Sequence, residues 1–158
     1  MKKFSIEIKW GIIFTLFTLV WMALERALGW HDVHIDQHST LTNLFAIPAI
    51  ILVVLALLDK RKNYFNCKMT WKQGFLTGLG MTVVIVILTP LSMWITNAII
   101  TPHYFENVIA YSVENDKMTQ EQAEAFFSMG SYIIQSMIGA AVMGIATSAV
   151  VAFFTKKS

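Results

Sequence analysis

Charged side chains are scarce in this sequence. Only 14% of its 158 residues are Asp, Glu, Lys or Arg, against about 25% in soluble domains. Hydrophobic residues make up 56%, and the mean hydropathy is +0.58. A soluble fold of this size could not hide so much apolar surface, whereas a bilayer acts as its solvent. Cysteine occurs once, as Cys67, which excludes an internal disulfide. The sequence contains no phosphate-binding glycine loop, no nucleophile elbow and no zinc-protease helix. Enzymatic activity is therefore left open but without support. Internal repeats and low-complexity segments are also missing.

What is present is a set of long apolar runs. About 20 apolar residues are needed to cross the hydrocarbon core as a helix. Four runs meet or approach this length, at about 10–28, 41–58, 74–100 and 131–154. They predict an all-α integral membrane four-helix bundle in one domain over 1–158. The opening Met1-Lys2-Lys3 raises the question of a signal peptide. The apolar run from Trp10 passes Val20 and ends in Glu25-Arg26 with no small-x-small cleavage site, so a retained span is expected. Between spans three and four, Thr119 and Gln122 form a capping-box signature and Gly130 a stop. A short amphipathic helix is expected there, with Phe126, Phe127 and Met129 resting on the membrane or the bundle mouth.

Charge sets the direction. With the N-terminus inside, the inner segments hold Lys2, Lys3, Lys9, Lys60, Arg61, Lys62, Lys68, Lys72, Lys156 and Lys157, and the outer ones only Arg26 and Lys117. Cations near span ends are retained in the cytoplasm, so both termini are expected there. A bacterial inner membrane is the expected location. Acids show the reverse bias: all but Glu7 and Asp59 fall outside. That bias reads as a solvated surface or a weak cation-attracting face. Trp10 and Trp71 mark the inner interface, and Trp30, Tyr104 and Tyr132 the outer one. The inner Asp59-Lys60-Arg61-Lys62 stretch suits anionic lipid. Nothing points to nucleic acid.

Small residues recur every four positions in span four: Ser136, Ala140, Gly144, Ser148 and Ala152. This spacing puts them on one helical face, where backbones can approach closely. Gly74 and Gly78 do the same at the start of span three. These positions are candidate helix contacts, within the chain or between copies. Pro48 and Pro90 lie inside spans and are expected to kink them. Near Pro90, span three turns polar with Thr89, Ser92, Thr96 and Asn97, of which the first three share a face. That face should turn inward or line a wet crevice. Alternatively, the hydroxyls repair carbonyls freed by the proline.

The densest polar pattern runs from His31 to His38 and includes His34, Asp32 and Asp36. His103 is expected on the same side. Histidines with carboxylates suit a divalent metal such as zinc, or a proton sensor. Helix-capping loop chemistry explains the same residues, and no cofactor is otherwise predicted. Glu25 and Arg26 are charges in a membrane segment and so functional suspects. Their place near the interface also lets them snorkel.

Several phrases together carry a resemblance. They are His31-Asp32 through His38, Thr42-Asn43-Leu44-Phe45-Ala46-Ile47-Pro48-Ala49, Leu58-Asp59-Lys60-Arg61-Lys62 and Met69-Thr70-Trp71-Lys72-Gln73-Gly74-Phe75. Ile100-Thr101-Pro102 with Tyr104-Phe105, and Met118-Thr119 before Glu121 and Glu124, complete the set. On these the chain resembles a bacterial domain-of-unknown-function family of small four-span inner-membrane proteins. The resemblance implies a membrane protein and brings no catalytic or ligand residues with it.

Three functional classes follow. A structural or accessory protein would act through the small-residue stripe, with the bilayer, a second copy or a membrane protein as partner. A small oligomeric transporter or channel would use the polar face of Thr89, Ser92, Thr96 and Asn97. An outward-facing metal or pH sensor would need His31, His34, His38 and His103 to converge.

Overall fold

The computed structural model describes residues 4–157. The Met1-Lys2-Lys3 opening, with two of the inner cations counted above, lies outside the described residues. Helix α1 spans Ser5–Ala27, and α2 spans Ile35–Leu41. A 3-10 turn over Thr42–Phe45 leads α2 into α3, Ala46–Asn63. Helix α4, Trp71–Ile95, widens into a π-helical turn at Thr96–Ile100. Then come α5, Tyr104–Glu114, α6, Gln120–Phe126, and α7, Met129–Thr155. Four stretches are long and apolar enough to cross a membrane: Ser5–Ala27, Ile35–Asn63, Trp71–Ile100 and Met129–Thr155. No strand occurs among the described residues.

Local chemistry explains where these helices begin and end. Thr70 caps α4 and Thr119 caps α6. In each case the threonine oxygen accepts the third residue's N–H, and a glutamine reaches back to the cap. Three details depart from the sequence reading. The segment between α4 and α7 holds two helices, α5 and α6, rather than one. Gly130 does not stop a helix: it lies in the first turn of α7, because Ser128 caps that turn by accepting the Ser131 N–H. The first span begins five residues before Trp10, because Ile6 and Glu7 are buried against the bundle. Pro48 falls just after the 3-10 turn, where the α-helical ladder is already interrupted.

Packing is tightest between α4 and α7. A Cβ built on Gly78 would stand 2.2 Å from Ser148, one on Gly144 2.4 Å from Thr82, and one on Gly74 3.1 Å from Ala152. Missing side chains let the two backbones approach, which is how helices gain contact in lipid. Gly11 plays the same part between α1 and Val84 of α4. One half of the bundle is closed by a core of Val53, Ala56, Leu57, Met69, Met81, Val151 and Ala152. This half ends in a lysine-rich rim, the basic end of the molecule. There Glu7 and Lys60 form a buried pair at 2.8 Å. Lys9 also bonds Asp59, which accepts the Trp10 indole N–H at 2.7 Å. Met69 and Lys157 exchange backbone hydrogen bonds of 2.8 Å. The outward faces are apolar: Leu16, Val20, Ile51, Leu55, Val83, Ile87, Ile138 and Val142 are all exposed. That distribution is stable only with hydrocarbon outside.

Candidate functional site

The other half of the bundle is not filled. A crevice of about 560 Å³ lies among all four spans. Its walls are Phe14 and Thr18 of α1, Val53 of α3, Met81 and Ile85 of α4, and Ala140 of α7. Residues on its α3 and α7 sides, Ala46, Ile50, Gly139 and Met143, are exposed as well as lining it. The crevice therefore opens sideways between α3 and α7, at the depth of the spans.

Thr89, Ser92, Thr96 and Asn97 line this crevice together. The Thr89 hydroxyl donates to the Ile85 carbonyl, and the Asn97 amide donates to Met93, each at 2.9 Å. The Thr89 donor and one of the two Asn97 N–H donors are spent within the helix. The Asn97 Oδ1 is buried with no partner among the described residues, and is free to accept from a guest. Of the small-residue stripe, Gly144, Ser148 and Ala152 pack on α4. Ser136 and Ala140 line the crevice, where the Ser136 hydroxyl lies 3.5 Å from Met93 Sδ.

Above the crevice sits a polar cluster built on Glu25, which is wholly buried. Its Oε1 accepts the Trp21 indole N–H at 2.6 Å, one turn back on α1. Its Oε2 lies 3.0 Å from His31 Nε2 and 3.4 Å from His38 Nε2. The chain reaches this arrangement through Gly29, whose φ of +77° is the left-handed value that closes helix C-termini. Trp30 N–H then bonds back to the Glu25 carbonyl at 3.0 Å and His34 N–H to that of Gly29 at 2.8 Å. The hairpin bend returns His31 beneath the end of α1, and α2 brings His38 in one turn later. Asn107 of α5 holds the bend by donating to the His31 carbonyl at 2.9 Å.

A tyrosine pair completes the cluster. Tyr104 Oη lies 3.3 Å from His38 Nδ1 and 3.1 Å from Tyr132 Oη. Burial pushes the Tyr104 hydroxyl well above the usual phenol range, and the nearby Tyr132 and Glu25 push the same way. It is therefore a neutral hydrogen-bonding group. The cluster atoms of Glu25, His31 and His38 lie within 4.8 Å of one another, a spacing that can hold a metal ion.

The four histidines singled out in the sequence thus separate into two kinds. His31 and His38 converge. His34 is exposed, and His103 sits on the surface, 3.1 Å from Glu106. The sequence marks Glu25 as a functional suspect or a charge able to snorkel, without joining it to the histidines. Its fourfold spacing from Trp21 was the available signal, since an indole donor one turn away can hold a carboxylate inside. Arg26, its neighbour, is exposed and donates to the Ile100 carbonyl.

Four apolar spans around a laterally open crevice define a multi-pass helical membrane protein. The chain belongs to the family described as "Protein of unknown function (DUF4199)", whose family model matches residues 9–157. No curated protein and no solved structure matches it.

Proposed function

We propose that this protein binds an amphiphile in its crevice, as a binding or transport protein of the bacterial inner membrane. Both termini lie in the cytoplasm, and the histidine cluster faces outward. The carrying observation is the crevice itself, with apolar walls, a polar ceiling and a mouth at lipid depth. Its volume of about 560 Å³ falls in the roughly 300–1,000 Å³ range of small-molecule sites. A single-chain amphiphile from the outer leaflet matches that shape, with its tail among Phe14, Val53 and Ile85 and its polar head near Thr96 and Asn97. Orientation is supported by eight described cations at the basic end, Lys9, Lys60, Arg61, Lys62, Lys68, Lys72, Lys156 and Lys157, against Arg26 and Lys117 at the other.

The accessory reading is weaker, because Gly74, Gly78, Gly144, Ser148 and Ala152 are consumed by contacts inside the chain. Gly139 offers a clean test, since a Cβ there meets nothing within 4 Å and a large side chain would block the mouth without disturbing the bundle. Native mass spectrometry of the detergent-purified chain should show a retained amphiphile that Gly139→Phe loses. If the wild type carries no such adduct, or the variant keeps it unchanged, the reading fails.

A further inference from the structure

We propose that Glu25, His31 and His38 form a binding site for one divalent transition metal of the zinc class, with its open coordination position directed at the crevice. Three ligand atoms converge: Oε2 of Glu25 and Nε2 of both histidines. With metal–ligand bonds of roughly 2.0–2.1 Å, the edges of a zinc tetrahedron are about 3.4 Å. The observed carboxylate–imidazole separations of 3.0 and 3.4 Å already approximate two such edges. The third separation is within 4.8 Å, and a modest turn of either imidazole shortens it.

Donor chemistry selects the metal. Two imidazoles with one carboxylate suit zinc and its neighbours, whereas calcium and magnesium prefer oxygen throughout. Three protein ligands also leave a fourth position open, as in zinc sites that bind a further molecule. His31, His38, Tyr104 and Tyr132 all line the crevice, so a fourth ligand can reach the metal from there.

Charge points the same way. Glu25 is wholly buried, and its ion-pair partners among the described residues are the two imidazoles alone. With both rings neutral, the cluster carries an uncompensated negative charge in a poorly solvated place, an expensive arrangement. A divalent cation reverses that balance. The surroundings are ready for it. On metal binding the His38 ring proton resides on Nδ1, where Tyr104 Oη lies at 3.3 Å to accept it. Such an outer partner fixes the tautomer of a ligating histidine. The His31 Nδ1 is buried without a partner among the described residues, and its proton is left for a polar group on the fourth ligand.

The test uses the full chain in detergent, stripped with a chelator and titrated with Co²⁺ and then Zn²⁺. One equivalent of Co²⁺ should give the visible absorption of a low-symmetry nitrogen–oxygen site, and Zn²⁺ should bleach it. Glu25→Gln and His38→Gln should each weaken Zn²⁺ binding by ~100-fold or more, and Tyr104→Phe by about 10-fold. His34→Ala and His103→Ala should bind like the wild type. Elution as a single symmetric peak identifies the folded variants. Should Glu25→Gln not fold, the His38→Gln titration and the wild-type cobalt spectrum decide. A wild type without cobalt absorption overturns the proposal, as does equal binding in His38→Gln or an equal loss in His34→Ala. The proposal goes beyond amphiphile binding and does not need it. A chain that takes cobalt but carries no adduct sinks only the amphiphile reading, and the reverse result sinks only this one.

Discussion

Glu7 and Lys60 show how single residues are held at the edge of a membrane protein. Each is a charge that hydrocarbon would reject, and each is buried, at 6% and 3% side-chain exposure. Removing one partner strands the other, so Lys60→Met should destabilise the chain by about 3–5 kcal/mol. Adding Glu7→Leu should recover much of the loss, since two apolar residues fill the same space. Unfolding in mixed micelles would measure both, and a harmless single variant would contradict the pair's role. Tyr104 makes a second prediction at this scale. Its hydroxyl holds its proton more tightly in the folded chain than unfolded. The stability it contributes is therefore complete below the ordinary phenol range near 10 and drains away as the pH climbs above it. Circular dichroism against alkaline pH should show a later collapse for Tyr104→Phe, and superimposable curves would refute the assignment. The sequence exposed some residues of the site better than others. His31 and His38 could be singled out from it, but not separated from His34, because the turn at Gly29 decides which imidazoles point inward. Glu25 was harder still: the Trp21 indole one turn away was legible, but the two histidines reach its carboxylate only through the turn at Gly29.

Helices were easier to read, since their signals are local. The Thr119–Gln122 capping box rests on residues three apart, and the spans on continuous apolar length; the matching box at Thr70 and Gln73 emerges only with the structure. Gly130 misled because a glycine near a helix boundary serves a start as well as a stop, and only the Ser128 hydroxyl settles which. The stripe on α7 was visible as a face, while its partner was not: only the fold pairs Gly144 with Thr82 and Ser148 with Gly78. That pairing gives opposite expectations for two neighbouring glycines. Gly144→Leu must push α7 off α4, because even its Cβ would fall 2.4 Å from Thr82 Oγ1. Overpacking of this kind costs about 1–3 kcal/mol or more. Gly139→Leu, on the open side, should leave the midpoint of thermal unfolding nearly unchanged. Equal effects of the two would mean that α4 and α7 do not meet in this register.

At the scale of the whole molecule, the bundle is divided into a packed half and a hollow half. Cys67 is exposed in the turn between α3 and α4, at the basic end. In intact cells it should react with a membrane-permeant maleimide and be spared by an impermeant one, and the opposite pattern would invert the topology. The paired charges at that end carry a mechanical consequence. Glu7 and Lys9 of α1 are each matched to Lys60 and Asp59 of α3, so neither helix can slide past the other without dragging an unmatched charge into oil. Piston-like travel is thereby forbidden. Arg61 of α3 also donates to the Thr155 carbonyl at the end of α7, so any widening of the gap between α3 and α7 would hinge at the basic end.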